Sequence, residues 1–236
     1  MEIENKNLEL ERPAIYVVAT PIGDVNDITL RALKVLAAVD LVICEERKVG
    51  SRLLKGYDIR QELIEVNEHN EQNVVTELVL KIITENLAVA MISDAGTPLF
   101  ADPGNKLIPQ AYQSGIRIVP VPGASSIMAA LMAAGVTTSS FLYYGFLPAN
   151  RQSRQVAIRQ LPNDTDIILL EAPYRLKQVL ADLQKHLGSN RQAVLAWKLT
   201  YPQEQIIETD LGSLVQIAEN LGKGEFVLIL RARKRR

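Results

Sequence analysis

The sequence predicts an α/β protein of two domains, and three observations support this fold class. Short apolar runs rich in β-branched residues alternate with helical segments through the first half of the chain. Many of these runs stop at small, turn-forming residues, as buried strands of a parallel sheet do. Later, two strand segments follow each other without a helix between them. We therefore predict a parallel N-terminal sheet over residues 14–120, a mixed C-terminal sheet over residues 121–232, and a cleft between the domains.

The composition is ordinary for a soluble globular protein, with 236 residues, 47% of them hydrophobic, and a net charge of −1. That charge excludes a protein that binds nucleic acid through overall positive charge. No apolar run approaches the roughly 20 residues that span a bilayer, and the polar N-terminus is unlike a signal peptide. The single cysteine, Cys44, ends an apolar run and is expected to be a core residue rather than a nucleophile. These features predict a cytoplasmic protein with no membrane partner.

Hydrophobic periodicity defines the elements of the N-terminal domain. The first strand is a β-branched run, and the helix after it has apolar residues at helical spacing with Asp27 as its expected N-cap. Gly115 closes the last helix of this domain. The predicted strands are residues 14–19, 41–44, 62–66, 87–93 and 116–120, and the predicted helices are 28–38, 51–55, one that ends near 85, and 105–114.

The C-terminal domain is predicted to begin with an apolar helix at residues 127–134, which Ser125 and Ser126 open. An aromatic strand and turn follow at residues 141–148. We expect these aromatic side chains to lie mostly in the core, with Tyr144 able to face a ligand. The remaining predicted helices are 151–161, 174–187 and 211–221, and the remaining strands are 166–170, 192–199, 205–210 and 225–230.

One segment, residues 89–104, carries most of the functional interpretation. A buried strand ends there at small or short polar residues that offer main-chain N–H groups, a carboxylate and hydroxyls with little bulk. Ligands of open α/β sheets bind beyond such strand ends. The alternative is a tight connection in which Asp94 or Thr97 caps the next helix. A second loop of the same kind, residues 121–126, follows one helix and one strand later, so we favour the ligand interpretation.

Charged and polar clusters follow two other strand ends. Residues 45–48 come after the second strand, and residues 67–71, which include His69, come after the third. Each cluster is either a solvated loop or part of an active site. If residues 67–71 are a solvated loop, Asn70 caps the following helix. Basic residues also cluster at the tail, 231–236, and at Arg151, Arg154 and Arg159; these form either a solvated surface or a face that grips phosphates.

Several common catalytic motifs are missing from the sequence. It contains no phosphate-binding P-loop, no dinucleotide-binding glycine fingerprint after the first strand, and no Gly-x-Ser-x-Gly nucleophile elbow. Two histidines at unrelated positions argue against a histidine-rich metal centre. The sequence instead has loops of small residues and few side chains of a catalytic kind. This suits a transferase that uses an already activated cofactor and mainly positions the two reaction partners.

Six segments of the sequence resemble one known family in both content and order. They are IYVVATPIGDVNDITLRALKVLAAVDLVICEE, NEHNE, SDAGTPLFADPG, VPVPGASS, FLYYGFLP and EAPYRL, and they span residues 15–176. The chain resembles the tetrapyrrole methylase superfamily of S-adenosylmethionine-dependent enzymes and, within it, the ribosomal RNA small subunit methyltransferase I family. That resemblance implies two α/β domains, a homodimer, and 2′-O-methylation of a cytidine in small-subunit ribosomal RNA, without a metal.

The resemblance also implies which residues form the site. Those implied to line the S-adenosylmethionine pocket are Thr20, Pro21, Ile22, Ser93, Asp94, Ala95, Thr97, Ser125, Ser126, Tyr144 and Ala172. The acceptor hydroxyl needs a nearby base to take its proton. The base or orienting groups proposed for it are Glu46, Asn67, Glu68 and His69.

Two segments depart from the family pattern. Where relatives read Cys-Glu-Asp-Thr-Arg after the second strand, this chain has Cys44-Glu-Glu-Arg-Lys48, and their Arg-Glu-Leu-Thr-Lys appears here as Trp197-Lys-Leu-Thr-Tyr201. These departures keep two alternatives open. The chain could methylate a small molecule such as a tetrapyrrole, or it could be a ribosome-associated protein that binds S-adenosylmethionine without transferring its methyl group.

Overall fold

Five parallel strands form the first sheet of the computed structural model, which describes residues 9–67, 69–99, 106–135 and 140–233. The strands lie in the order β3-β2-β4-β1-β5, and all neighbouring pairs are parallel. The central strands are buried because helices cover both faces of the sheet. The strands are β1 (Ala14–Val18), β2 (Leu41–Cys44), β3 (Glu62–Glu65), β4 (Ala88–Ile92) and β5 (Arg117–Val121).

Helices on the two faces of this sheet follow different strands. The helices after β1 and β2, α1 (Leu30–Ala38) and α2 (Arg47–Gly56), contribute to the core cluster on one face. The helices after β3 and β4, α3 (Glu71–Thr84) and α4 (Leu107–Gln113), contribute to the cluster on the other face. The chain therefore turns to opposite faces after the neighbouring strands β1 and β4.

The second sheet is mixed, as predicted, with strand order β6-β7-β10-β8-β9. Only β6 and β7 pair in parallel, and the other pairs are antiparallel. Helices α6, α7 and α8 share one core cluster with this sheet. The elements are α5 (Ser126–Ala133), β6 (Phe141–Gly145), α6 (Arg151–Arg159), β7 (Asp166–Glu171), α7 (Leu176–Leu187), β8 (Gln192–Trp197), β9 (Gln205–Asp210), α8 (Leu211–Ala218) and β10 (Phe226–Leu230).

The chain divides into two compact units, Met1–Ser125 and Ser126–Arg236. Each unit holds one of the two sheets. The sequence placed the domain boundary between residues 120 and 121, just before the last residue of strand β5 and a few residues before this division. No helix in the described ranges is long and apolar enough to cross a membrane.

Three local predictions were wrong, and each has a physical reason. Asp27 does not cap the first helix, because Asp24 caps a 3-10 helix at Val25–Asp27 and Thr29 then accepts a hydrogen bond from Ala32 N–H at 3.1 Å. The short helix predicted at residues 51–55 begins at Arg47 instead, so part of the charged loop is helical.

The third wrong prediction concerns the aromatic strand β6. Phe141 and Phe146 are exposed rather than core residues. Phe141 begins an edge strand, which has neighbouring side chains on one side only, and Phe146 lies in the turn after that strand, so fewer side chains surround either residue. Cys44, in contrast, is buried as predicted, and burial raises the pKa of its thiol to about 11, which keeps it protonated near neutral pH.

Candidate functional site

Three loops meet at the carboxyl edge of the first sheet, because β4, β1 and β5 are adjacent and parallel. They are the β1 loop (residues 19–23), the β4 loop (residues 93–99) and the β5 loop (residues 122–125). The chain leaves β1 and β4 towards opposite faces of the sheet, so these two strand ends form a topological switch point. Ligands of parallel α/β sheets bind at such a point.

Main-chain hydrogen bonds tie the three loops together. Thr20 N–H donates to Gly96 O at 2.8 Å, and Gly96 N–H donates back to Thr20 O at 3.1 Å. The hydroxyl of Thr97 donates to Ala124 O at 3.0 Å and joins the β4 loop to the β5 loop. The edge is therefore one connected surface made largely of main chain.

Two of the predicted cofactor residues hold this surface in shape. Thr20 and Ser93 are buried. The Thr20 hydroxyl donates to Ser93 O at 3.3 Å, and the Ser93 hydroxyl donates to Gly96 O at 3.2 Å. Their hydroxyls thus fold the β4 loop, whereas the side chains of Asp94 and Ala95 are exposed beside it.

Gly96 lets the β1 and β4 loops approach each other closely. Its φ of +80° is a left-handed conformation, and a Cβ added there would lie 3.0 Å from the Cγ2 of Ile22. Pro21 and Ile22 are buried under this contact. A side chain at residue 96 would push the two loops apart.

Three carboxylates lie along the edge from β4 to β3. Asp94 accepts a hydrogen bond from Glu46 N–H at 3.3 Å, and Glu65, at the end of β3, accepts from Arg47 N–H at 3.0 Å. Loss of solvent raises the pKa of Asp94 above its ordinary value. The hydrogen bond from Glu46 N–H opposes that rise, and the negative charges of Glu46 and Glu65 add to it. A positively charged ligand at this edge would relieve the repulsion.

The structure places two of the three predicted catalytic residues near this edge. Glu46 is exposed and stands at the N-cap of α2, next to Asp94. His69 is exposed, and its main-chain N–H donates to the Asn67 side chain at 3.0 Å. Glu68 lies outside the described residues.

Asn67 connects the loop after β3 to the carboxylates. Its side-chain N–H donates to Glu65 at 3.0 Å, and its side-chain oxygen accepts from Asn70 N–H at 3.2 Å. Asn70 in turn accepts from Asn67 N–H at 2.9 Å, so its side chain fixes the turn and makes no capping bond to α3. The sequence analysis missed Glu65 as a site residue. The available signal was its carboxylate at the end of a strand, two residues before Asn67.

In the second unit, two of the family-like segments contact each other. The turn after β6, residues 146–148, and the segment after β7 lie at the same end of the parallel β6–β7 pair. Leu147 N–H donates to buried Glu171 at 3.1 Å, and the Arg175 guanidinium donates to Leu147 O at 3.0 Å and lies 3.0 Å from the Glu171 carboxylate. Burial raises the pKa of Glu171, and Arg175 opposes the rise.

A second arginine holds the same turn from beneath. Arg154 is fully buried, pairs with Asp182 at 2.8 Å, and donates to Ala149 O at 2.8 Å. The sequence analysis grouped Arg154 with Arg151 and Arg159 as surface cations. That prediction is wrong for Arg154, which is buried, whereas Arg151 and Arg159 are exposed. One available signal was that Arg154 shares a helix face with buried Ala157 and Ile158.

The other predicted cofactor residues fall in both units. Ser125 ends the β5 loop in the first unit, and Ser126 begins α5 in the second; both are half-buried. Tyr144 is half-buried and packs against the core of the second unit. Ala172 is half-buried and directly precedes a 3-10 helix at Pro173–Arg175.

The second segment that departs from the family pattern forms an irregular turn after β8. Lys198 and Thr200 both have positive φ, at 49° and 63°, which is uncommon for residues other than glycine. The Lys198 ammonium lies 4.7 Å from the centre of the Trp197 ring, a cation–π contact. Trp197 pairs in register with Phe226, which pairs with Glu171, so this turn is at the same sheet edge as Ala172.

Comparisons with known proteins agree with this architecture. A family model described as Tetrapyrrole (Corrin/Porphyrin) Methylases matches residues 14–215. A ribosomal RNA small subunit methyltransferase I from Vibrio cholerae is 39% identical over 96% of this chain and 80% of its own. The protein of that name from Escherichia coli O157:H7 is 39% identical over 98% of this chain and 82% of its own.

A solved structure supports the fold independently. A uroporphyrin-III-C-methyltransferase from Thermus thermophilus superposes with a TM-score of 0.65 at 20% identity, over 92% of this chain and 94% of its own. At that identity the likeness concerns the fold alone. The family match and the sequence identities go further: the chain belongs to the tetrapyrrole methylases and, among them, to the ribosomal RNA small subunit methyltransferase I family.

Proposed function

We propose that this protein is an S-adenosylmethionine-dependent methyltransferase that modifies the ribose 2′-hydroxyl of a cytidine in small-subunit ribosomal RNA. The observation that carries the proposal is the connected edge of the β1, β4 and β5 loops in a chain of this family. That edge lies where a parallel sheet binds its ligand and is lined by main chain and small side chains.

The residues at this edge fit the proposed cofactor. S-Adenosylmethionine carries a positive sulfonium and an ammonium group, and Asp94, with its crowded negative charge, would be stabilised by either. Small side chains leave room for the nucleoside next to the main chain. The residues proposed to hold the cofactor at this edge are Thr20, Pro21, Ile22, Ser93, Asp94, Ala95, Thr97 and Ser125, all of the first unit. Ser126, Tyr144 and Ala172, which lie in the second unit, remain cofactor-binding candidates that the family resemblance implies.

When bound, S-adenosylmethionine supplies an electrophilic methyl group, so the protein needs to provide little covalent chemistry. The loops hold the reacting groups in line, which replaces a bimolecular encounter with an oriented one. Transfer would form the O–CH3 bond, break the S–CH3 bond and leave S-adenosylhomocysteine, and the proton of the acceptor hydroxyl must pass to a base. We assign that role to Glu46 or His69, with Glu68 as a further candidate, since Glu46 stands beside Asp94 at the edge.

The proposal includes a cytoplasmic location, the small ribosomal subunit as partner, and a homodimer. Exposed apolar side chains on α5, on β6 and directly after β6 support the homodimer, because soluble proteins seldom leave many such side chains exposed. They are Met128, Met132, Phe141, Leu142 and Phe146. Light scattering at micromolar concentration is expected to give twice the chain mass of 26.2 kDa, and a monomer mass would contradict the dimer.

The function is tested by methyl transfer. The protein is incubated with S-adenosylmethionine labelled in its methyl group and with small ribosomal subunits from a strain that lacks the gene. We expect label in the RNA, recovered as 2′-O-methylcytidine after digestion. Label on a base or on another nucleotide would contradict the assigned position. Label only in an added tetrapyrrole would contradict the proposed RNA methyltransferase activity. Cofactor binding without any methyl transfer would also contradict it.

A further inference from the structure

Helix α2 carries a row of cations along one face. Lys48, Arg52 and Lys55 are spaced four and then three residues apart, which places them on one side of a helix. All three are exposed, while Gly50 and Leu54 form the buried side. Residues 47–60 hold five cations and one acid, in a chain whose net charge is −1. This row, the α2 stripe, is therefore a local positive surface about 10 Å long.

The charges of the α2 stripe are not neutralised within the described residues. Some other surface cations are paired there, for example Lys177 with Glu219 at 2.9 Å and Arg12 with Asp40. No ion pair or side-chain hydrogen bond in the described part of the chain uses Lys48, Arg52 or Lys55. Their positive charge is therefore available to an external anion.

Hydrogen bonds hold the start of the stripe against the candidate site. Glu46, the N-cap of α2, donates its main-chain N–H to Asp94, and Arg47 donates its main-chain N–H to Glu65 at 3.0 Å. The Arg47 guanidinium also donates to Leu63 O. These hydrogen bonds fix the first turn of α2 at the carboxyl edge of the first sheet. The main chain of Lys48 is therefore held close to the candidate site.

We propose that the α2 stripe binds the phosphate backbone of the RNA substrate and so places the acceptor nucleotide at the carboxyl edge of the first sheet. This inference rests on the proposed function. A row of evenly spaced cations suits a chain of phosphates. An anionic membrane is a poorer match, because Val49, Leu53 and Leu54 are at least half-buried and α2 has no exposed apolar side chain to insert.

The test compares two charge-matched double variants. Lys48→Gln/Arg52→Gln removes two charges from the α2 stripe, and Arg31→Gln/Lys34→Gln removes two exposed charges from α1. Binding to unmodified small ribosomal subunits is measured from about 0.05 to 0.3 M salt. We expect the α2 variant to bind roughly tenfold more weakly near 0.1 M salt, with the slope of log K against log salt reduced by about 2. The α1 variant should match the wild type.

Further measurements keep the proposal falsifiable. Calorimetry with S-adenosylmethionine should give the α2 variant the wild-type affinity, which also shows that it is folded. Adding Lys55→Gln should reduce the salt slope by about one more. If the wild type methylates RNA but the α2 variant keeps the wild-type salt slope, only this inference is overturned. The same holds if the α2 variant loses binding to phosphatidylserine vesicles and keeps its binding to RNA. A wild type that methylates no RNA would overturn the proposed function first.

Discussion

The carboxyl edge of the first sheet and the β6–β7 end of the second sheet are built in different ways. At the first edge, main-chain hydrogen bonds and small hydroxyls join the loops, as between Thr20 and Gly96. At the β6–β7 end of the second sheet, buried charged side chains hold the turn, through Glu171, Arg175 and Arg154. The first arrangement leaves little side-chain bulk near the surface, whereas the second occupies the space beneath its turn with charged groups.

This difference indicates how each edge should respond to mutation. Where main chain forms the surface, a substitution alters the shape available to a ligand and changes stability modestly. Where buried ions form the support, removing one leaves its partner charged and without a counter-ion, which is costly. Affinity for the cofactor should therefore be most sensitive at the first edge, and stability at the second.

The largest effect is expected for Arg154→Ala. It leaves the buried Asp182 without its partner and the Ala149 carbonyl without this donor, which we expect to lower the free energy of unfolding of the second unit by about 3–5 kcal/mol. Chemical denaturation followed by tryptophan fluorescence measures this, because Trp197 lies in that unit's core. Arg151→Ala, on the exposed side of the same helix, is the control and should change little. Equal stabilities of the two variants would contradict the supporting role of Arg154.

The next effect is expected for Gly96→Ala. The added Cβ meets Ile22 and must adopt positive φ, so we expect a loss of about 2 kcal/mol in stability and a further loss of cofactor affinity. Gly115→Ala also requires positive φ, at +77°, but its Cβ would meet no atom within 4 Å. It should therefore lose about 1 kcal/mol of stability and no affinity. Equal affinities for S-adenosylmethionine in the two variants would show that the β1–β4 contact does not shape the site.

The smallest effect is the pH dependence that Asp94 gives to cofactor binding. Protonation of Asp94 removes a negative charge beside a positive ligand, so affinity for S-adenosylmethionine should fall as the pH is lowered. Because loss of solvent raises the pKa of Asp94, with Glu46 and Glu65 adding to the rise, the fall should begin at a higher pH than for an ordinary aspartate.

Calorimetric titrations across the acidic range measure this dependence. Asp94→Asn should bind more weakly near neutral pH and should lose the part of the pH dependence that Asp94 supplies. Asp27→Asn, exposed elsewhere on the first unit, should keep the wild-type profile. A pH profile of Asp94→Asn that coincides with the wild type would exclude Asp94 as the titrating group.

Much of the fold could be predicted because its signals are local. Apolar runs bounded by turn residues located the strands; for β9 the predicted bounds, Gln205–Asp210, are those observed. Helix α2 was harder to predict: the expected helix covered residues 51–55, whereas the observed one begins at Arg47 and contains Gly50. A Cβ at Gly50 would come within 3.0 Å of the Cβ of Cys44, so the glycine allows close packing.

In the candidate site, too, only features that are contiguous in the sequence could be predicted. The loop beginning at Ser93 could be found from the sequence because its chemistry is contiguous. Glu65 could not be linked to Asn67 and Arg47 until the strands were paired, and Arg154 finds its partner Asp182 28 residues away. Contacts of this kind depend on tertiary structure, which spacing along the chain does not record.

The central claim is that the carboxyl edge of the first sheet holds S-adenosylmethionine, and calorimetric titration of Asp94→Ala/Ser125→Ala tests it most directly. This double variant removes a carboxylate from the β4 loop and a hydroxyl from the β5 loop without touching either core. We predict an unfolding curve close to that of the wild type and an affinity for S-adenosylmethionine weaker by roughly tenfold or more. A folded variant that binds S-adenosylmethionine with wild-type affinity would contradict the account.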